Sequence, residues 1–240
     1  NGCIDSIIKP DFITVIDDTI PPNVPNIYRA TVIDNTNTLF EFDRSNAIDF
    51  NKYRIFYNYS NGAPINWVDV FNVDDTTYNQ QNVNTLINPY TYALSATDIC
   101  GNTSDTAIKH TTVELIAKAT NNSIELNWTP YFGFDTIKRY EIWRNNADSG
   151  NTFVLINQTE AAVRNYIDTS VTCYTTYFYR IKTIDYTDST IFSWSDTSGA
   201  VPVFVPTVPG TENIRVTVVS DSYILLQWYK RTHKIGFTYV

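Results

Sequence analysis

Two histidines occur in the 240-residue sequence, His110 and His233. A nucleophile–histidine pair or a histidine-based metal site would need one of them. The residues around them match neither the ligand spacing of a zinc site nor that of a nucleophilic centre. We therefore interpret His110 as an exposed residue near a domain junction rather than as a catalyst.

Adjacent carboxylates occur at Asp17 and Asp18 and again at Asp74 and Asp75. They could bind Ca²⁺ at a domain junction, since hard cations prefer oxygen ligands. No EF-hand spacing surrounds them, so acidic loops are the favoured interpretation. No phosphate-binding or dinucleotide motif is present either. We predict no enzyme activity, no cofactor and no metal.

Three cysteines, Cys3, Cys100 and Cys173, cannot form a closed disulfide set among themselves. Cys100 follows a predicted strand, whereas Cys173 precedes the equivalent strand of the next repeat. Even in one domain they would lie roughly 45 Å apart at about 3.3 Å per residue, and a disulfide needs Cα atoms within about 7 Å. We expect Cys100 and Cys173 not to pair, and any partner of Cys3 to lie upstream.

Composition limits the remaining possibilities. Hydrophobic residues make up 43% of the chain and aromatic residues 15%, which is enough apolar area for folded cores. The net charge of −8 argues against binding nucleic acid or an anionic membrane through charge. No apolar run is long enough for a transmembrane helix. We predict neither a nucleic-acid partner nor a membrane span.

The chain contains internal repeats, which were sought before secondary structure. Two blocks recur at a lag of about 87 residues, and a third recurs at a lag of about 100. The matched segments are 53–58 with 140–145, 90–98 with 177–185, and 122–128 with 222–228. Each block alternates apolar and polar residues, as Ile124, Leu126 and Trp128 do, which is typical of half-buried antiparallel strands.

A repeat of about 90 residues with about seven short strands has the size of an immunoglobulin-like sandwich. We predict an all-β fold of tandem sandwiches, stacked end to end through stiff proline-rich connectors. The predicted divisions are 1–18 as the C-terminal strand of a preceding repeat, 19–112 and 113–203 as complete domains, and 204–240 as the truncated start of another. The predicted strands are 24–33, 37–43, 52–59, one or two within 66–80, 90–98 and 105–113, then 113–119, 122–128, 138–145, 153–168, 175–185 and 191–201.

The strand-B tryptophans Trp128 and Trp228, with Phe42 in their place in the first repeat, resemble fibronectin type III domains. In that family a leucine precedes a strand-F tyrosine by six residues, and Leu86 and Tyr92 fit this spacing. In the second repeat Cys173 takes the leucine position, and Tyr179 keeps the tyrosine. The resemblance implies a tyrosine corner, in which these hydroxyls bond the nearby backbone, and it implies that Cys173 is a small core residue.

A narrower resemblance is carried by segments 98–104, 128–134 and 166–173. They look like junctions in surface proteins of Bacteroidetes bacteria, which are typically exported by the type IX secretion system and include gliding-motility and adhesin-type proteins. In that group an Asp followed by Ser or Thr and an apolar residue is an O-glycosylation context. Matching positions are Ser6, Thr19, Thr106 and Thr136. The alternative is a turn in which the Asp side chain caps the backbone.

Loop aromatics are the predicted exceptions to core burial, and could form contact patches at domain ends. These are Tyr131, Phe132, Phe134 and Phe192.

Together, the patterns favour a non-enzymatic module of a secreted bacterial cell-surface glycoprotein, acting as an adhesin stalk, spacer or assembly surface in gliding motility or type IX secretion. Expected partners are neighbouring repeats and either other protein subunits or a surface polysaccharide. Strand addition at a sandwich edge is one binding mode. The alternative is an accessory region of a large secreted polysaccharide-degrading enzyme.

Overall fold

The protein is described here by a computed structural model. It covers residues 4–9, 12–59, 65–147, 150, 152–205, 211–220, 223–230 and 233–238, with side chains described from residue 18 to residue 205 outside the gaps. Within this part of the chain, no helix is long and apolar enough to cross a membrane. The chain divides into two compact units, 1–203 and 204–240.

Strands β1 to β20 are the regular elements, in chain order, and their bounds follow. They are β1 Ile4–Lys9, β2 Phe12–Asp17, β3 Ile27–Asp34, β4 Asn37–Phe42, β5 Phe50–Tyr59, β6 Asn66–Val70, β7 Thr77–Gln81, β8 Tyr90–Asp98, β9 His110–Thr111, β10 Leu115–Thr120, β11 Ser123–Trp128, β12 Ile137–Asn146, β13 Val154–Thr159, β14 Asn165–Asp168, β15 Tyr177–Asp185, β16 Phe192–Trp194, β17 Ser198–Ala200, β18 Thr211–Ser220, β19 Tyr223–Lys230 and β20 His233–Thr238.

Two sandwiches of the same design make up most of the first unit. The first has a three-stranded sheet, β3-β4-β7, and a four-stranded sheet, β6-β5-β8-β9. The second has β10-β11-β14 and β13-β12-β15-β16, with β17 also pairing with β15. All strand pairs are antiparallel. The predicted fold class, all-β with tandem fibronectin type III-like sandwiches, is confirmed.

Alternation within strands builds each core. In β4 every second residue is buried, so Phe40 and Phe42 point inward. Phe40 stacks on Tyr92 with ring centroids 5.2 Å apart, and Phe42 meets Tyr53 edge-on at 5.0 Å. In the second sandwich Trp128, at the position equivalent to Phe42, meets Tyr140 at 5.7 Å. Large aromatics therefore bridge the two sheets in both cores, which is the main use of the high aromatic content.

The tyrosine corners lie two residues earlier than predicted. Tyr90 accepts a hydrogen bond from the backbone N–H of Asn84 at 2.9 Å, and Tyr177 accepts one from Thr172 at 3.0 Å. The predicted corner residue Tyr92 instead bonds Thr38 and Gln80 by its hydroxyl. The assignment failed because each strand carries a Tyr-x-Tyr pair, and both tyrosines point inward with a period of two.

Tyr179 and Cys173 also have other roles than those implied by the family resemblance. The Tyr179 hydroxyl donates to the Asp168 carboxylate at 2.9 Å. Cys173 is half-buried, and its thiol lies 3.1 Å from the side-chain oxygen of Asn122. Leu86 is 49% exposed, and Val83 is buried in the first core instead. Leu86 and Cys173 both lie outside the cores, so the predicted core position of Cys173 is wrong.

Residues outside the two sandwiches form simpler structures. Strands β1 and β2 pair antiparallel, where the sequence predicted a single strand for 1–18. The second unit has the three-stranded antiparallel sheet β18-β19-β20. Trp228 lies in β19 and Ser6 in β1, but their side chains fall outside the described set, as does all of Cys3. Cys100 and Cys173 are not bonded to each other.

Candidate functional site

The junction between the two sandwiches contains a set of polar and aromatic contacts. Strand β3 pairs with β4 on one side, and its other edge faces β16 of the second sandwich. The Ser193 hydroxyl donates to the Ala30 carbonyl at 2.7 Å, and the Trp194 backbone N–H donates to the Thr31 hydroxyl at 2.8 Å. Polar groups that an edge strand would leave unpaired thus find partners in the next domain.

Further bonds extend the contact along β3. The Arg180 guanidinium donates to the Val32 carbonyl at 2.8 Å. Asn35 donates to the Thr197 carbonyl at 3.0 Å and accepts from the Thr197 N–H at 2.8 Å. The sandwiches therefore meet along the length of an edge strand. This arrangement differs from the predicted end-to-end stacking. Groups in and around β16 form hydrogen bonds with β3, and these bonds hold the edge strand of one sandwich against the other.

A hydrogen-bonded chain crosses the same junction. The Ala30 N–H donates to the Tyr131 hydroxyl at 3.0 Å, and that hydroxyl lies 2.8 Å from Nδ1 of His110. We assign the Tyr131 hydroxyl as the donor to Nδ1, because it has no other acceptor among the described residues, and this assignment places the imidazole proton on Nε2. Gly133, at φ +121°, lies against the ring, and a Cβ there would come within 2.3 Å of it. His110 is therefore held by both domains.

His110 differs from its sequence interpretation in one respect. It does lie at the domain junction, but it is buried, with 4% of its surface exposed. Burial lowers the pKa of His110 to about 4, with Asp185 acting weakly in the opposite direction. The ring is therefore neutral at physiological pH.

Cations and aromatic rings alternate on the β16 side of the junction. The Lys182 ammonium lies 4.0 Å from the Phe192 ring centroid and 5.6 Å from that of Trp194. Arg180 lies 4.9 Å from Trp194, and Arg29 of the first sandwich lies 4.9 Å from Phe192. Such contacts contribute about 0.5–2 kcal/mol each. Arg29 extends the row from one domain to the other.

The loop aromatics, predicted as exceptions to core burial, make their contacts within the chain, and the prediction is wrong for Tyr131, which is buried in the second core. Tyr131 is 3% exposed and stacks near Phe134 with centroids 4.3 Å apart. Phe132 exchanges backbone hydrogen bonds with Thr111. Phe192 receives Arg29 on its ring and on its carbonyl. These residues join the two sandwiches, and only Phe132 exposes a large part of its side chain, 46%.

Replacing Tyr131 with phenylalanine is expected to lower the free energy of unfolding of the unit 1–203 by about 2 kcal/mol. The substitution keeps the ring and leaves the Ala30 N–H and His110 Nδ1 without a partner in a buried place. Chemical denaturation of the full chain measures the effect. Tyr174→Phe is the matched control, since Tyr174 is 72% exposed. Equal stabilities of the two variants would contradict the interpretation.

Asp196 is the most perturbed carboxyl group of the junction region. It is fully buried, Oδ1 accepts the Leu115 N–H at 2.7 Å, and Oδ2 has no hydrogen-bond partner among the described residues. Burial raises the pKa of Asp196 to about 7, and the bond from the Leu115 N–H, together with the smaller effect of the Arg180 charge, offsets this only in part. The carboxyl group links β10 to the segment between β16 and β17, and it titrates near neutral pH.

A group of three carboxylates lies at the other end of the first sandwich. Asp18, Asp49 and Asp98 place one oxygen each within 4.8 Å of one another. Asn102 donates to both oxygens of the buried Asp98 from its backbone and side chain. Burial and the two neighbouring carboxylates raise the pKa of Asp49. Oxygen ligands of this kind suit a hard cation, although Asp49 and Asp98 carried no signal in the sequence.

The other acidic residues singled out by the sequence act separately. Asp74 pairs with Arg44 at 2.6 Å, and Asp75 accepts from Asn72 at 3.0 Å. Asp17 lies in β2, where side chains are outside the described set. Asp18 also accepts from the Ile20 N–H at 3.0 Å, which is a turn capped by its side chain, as in the alternative interpretation of the Asp-Thr motif. Thr19, Thr106 and Thr136 are all exposed.

A second aromatic surface lies on strand β6, at the edge of its sheet. Trp67 is 59% exposed and Phe71 is 67% exposed. Arg54 lies 5.6 Å from the Trp67 ring, and Lys52 lies 5.9 Å from the Phe71 ring. Asp69 binds both cations at 2.7 Å, and these bonds, that of Arg54 first, hold the pKa of Asp69 at about 2. Ordered charges therefore surround an exposed aromatic pair.

No protein-family model matches the chain, and no curated protein matches it either. Among solved structures, the FN1–FN3 domains of chicken CNTN1 align over 88% of this chain and 76% of that one, at 18% identity and a TM-score of 0.33. A segment of two fibronectin type III domains from chicken tenascin aligns over 74% of this chain and 98% of that one, at 17% identity and a TM-score of 0.31.

Pectate lyase Pel3 from Pectobacterium carotovorum aligns over 43% of this chain and 30% of that one, at 15% identity and a TM-score of 0.33. All three likenesses are distant. The fold assignment therefore depends on the strands and their pairing, and these make the chain a tandem of fibronectin type III-like sandwiches.

Proposed function

We propose that the chain is a non-enzymatic structural and binding module, in which two sandwiches act as one rigid piece. The observation that carries this is the junction. Backbone groups of β3 are bonded by Ser193 and Arg180, and the Ala30–Tyr131–His110 chain crosses between the domains. Buried contacts of this kind oppose the independent motion that is usual for linked domains. A module of this type holds neighbouring domains at a fixed spacing, carries mechanical load, and presents surfaces to which partners can bind.

The proposed setting is the surface of a bacterium, as part of a secreted protein that works as an adhesin stalk, spacer or assembly surface in gliding motility or type IX secretion. The net charge of −8 supports a role in which the module stays soluble and does not stick to other anionic surfaces. Domains 19–112 and 113–203 are the proposed repeats. Partners are neighbouring repeats, and other protein subunits or a surface polysaccharide at the exposed aromatic surface of Trp67 and Phe71.

O-linked glycans are part of the same proposal. Thr19, Thr106 and Thr136 are exposed and follow an aspartate, and Ser6 follows Asp5 in β1. Mass spectrometry of the protein from its natural host measures the modification, and unmodified peptides for all four positions would remove the glycoprotein part of the proposal.

Antibodies against the purified chain are expected to label intact cells of the organism that encodes it. A protease added outside the cells should remove the signal, because a surface-held module is accessible to it. An antibody against a cytoplasmic protein is the control for cell integrity. Labelling that requires permeabilised cells would contradict the proposed location, and it would leave the rigid junction to be judged by the Tyr131→Phe result.

A further inference from the structure

A cleft of about 420 Å³ opens between the two sandwiches. The first sandwich contributes segments 24–28 and 107–110, and the second contributes 133–135 and parts of 185–191. It lies directly beside the Ala30–Tyr131–His110 chain, because His110 and Gly133 are both in its wall. The bonded junction therefore sets the width of the cleft.

His110 provides the cleft with a fixed hydrogen-bond donor. Its Nδ1 is occupied by the Tyr131 hydroxyl, so the proton is on Nε2. No hydrogen-bond partner for Nε2 is found among the described residues, and only 4% of the surface of His110 is exposed. His110 lies in the wall of the cleft, so an acceptor group of a ligand bound there would complete the hydrogen bonding of this donor.

Asp185 provides a fixed acceptor. It is 6% exposed, and Oδ1 receives the Thr187 N–H at 2.7 Å, the Thr187 hydroxyl at 2.5 Å and the Asp188 N–H at 3.0 Å. These bonds hold the carboxylate in one orientation. Oδ2 receives no hydrogen bond from the described residues. The cleft therefore presents one ordered donor and one ordered acceptor on opposite domains.

The chemistry of this pair selects a class of ligand. The charged side chains that line the cleft, Asp135 and Asp185, are both carboxylates and repel anions. Ammonium and guanidinium groups have no acceptor for His110, whereas a hydroxyl group both accepts and donates. Ile108, Phe134 and Ile191 add apolar wall that suits the C–H face of a sugar ring. The ligand that uses all of these features is neutral, compact and rich in hydroxyl groups.

We propose that the cleft binds a neutral saccharide residue, with one hydroxyl accepting from His110 Nε2 and another donating to Asp185 Oδ2. Burying part of a sugar ring against Ile108 and Phe134 adds apolar contact. The proposal rests on the proposed binding function and adds a saccharide site that is separate from the surface of Trp67 and Phe71. It is independent of where the protein is located, since the cleft needs only the two domains of unit 1–203.

Nuclear magnetic resonance of the imidazole ¹⁵N nuclei tests the proposal, because the full chain has just two histidines. The probes are the methyl glycosides of glucose, galactose, mannose and N-acetylglucosamine, each titrated alone. At least one is expected to shift the His110 Nε2 signal in a saturable way and to leave His233 unchanged. If none of the four glycosides shifts the His110 signal, the proposal is wrong.

Two variants of exposed isoleucines locate the binding. Ile108 lies on the rim of the cleft and is 72% exposed, whereas Ile48 is fully exposed and lies outside it. Ile108→Arg is expected to block the cleft and weaken binding at least tenfold, and Ile48→Arg is expected to leave the affinity unchanged. Equal affinity in both variants would overturn the proposal. So would equally tight binding of N-acetylglycine methylamide, which would assign the cleft to peptides.

Discussion

Replacing Asp196 with asparagine is expected to stabilise the protein at pH 8 and to lose that advantage as the pH falls to about 4. Burial raises the pKa of Asp196 from its ordinary 3.8 to about 7. The folded state therefore binds the proton more tightly than the unfolded state, and the stability this group contributes is present below pH 3.8 and lost as the pH rises through 7. The loss is about 4 kcal/mol, since each factor of ten in proton affinity corresponds to about 1.4 kcal/mol.

The asparagine keeps what the carboxylate does structurally. Its side-chain oxygen can still accept from the Leu115 N–H, so β10 stays tied to the segment after β16. Its NH₂ group takes the place of Oδ2, which has no hydrogen-bond partner among the described residues, and that polar group costs less to bury than a charge. Denaturant titrations of wild type and variant at pH 5 and pH 8 measure the difference. A difference independent of pH would mean that Asp196 is ionised in the folded protein throughout.

Acid is expected to weaken the junction through His110. Burial lowers its pKa from 6.5 to about 4, so the unfolded chain takes up a proton at pH values where the folded chain does not. The stability contributed by the neutral ring is complete above pH 6.5 and falls by about 3 kcal/mol as the pH drops to 4. Protonation places a hydrogen on Nδ1, so the bond to the Tyr131 hydroxyl must reverse its direction. Asp185 is the charged group that favours the protonated ring, and its effect is smaller than that of burial.

The two groups oppose each other between pH 4 and pH 6.5, so the wild type is expected to change little over that range. The Asp196→Asn variant removes the contribution of Asp196, so it should show the full loss of stability that His110 causes as the pH falls. His110→Gln, which is neutral and can still accept from Tyr131, should show the reverse, with stability rising on acidification. Asp75→Asn is the control, since Asp75 is an exposed loop residue of the first sandwich. Parallel pH profiles for the two variants would contradict the assignment of either group.

Strand positions were predictable because they depend on short-range patterns. Phe40 and Phe42 in β4, and Ile124, Leu126 and Trp128 in β11, alternate with polar residues, and a two-residue period places one face on the core whatever the neighbours are. The lag of about 87 residues between repeats then predicted that the same sandwich occurs twice. These inferences required only residue types and their spacing along the sequence.

The tyrosine corners and the acidic group were not predictable in this way. Tyr90 and Tyr92 have the same residue type and the same face, and only the position of the loop at Asn84 decides which hydroxyl bonds the backbone. Asp18, Asp49 and Asp98 lie 31 and 49 positions apart in the sequence, so their approach depends on how three separate segments meet at one end of a sandwich.

By itself, the sequence determined the all-β class, the repeat and the inward faces of the strands, because these depend on residue type and spacing along one strand. Tertiary structure alone decided that the sandwiches meet along β3, that His110 is buried between them and that Asp196 lacks a partner for one oxygen. Each depends on groups far apart in the chain, up to 163 residues for the bond from Ser193 to Ala30. Burial and hydrogen bonding at such contacts set the pKa values of His110 and Asp196, and no local pattern records them.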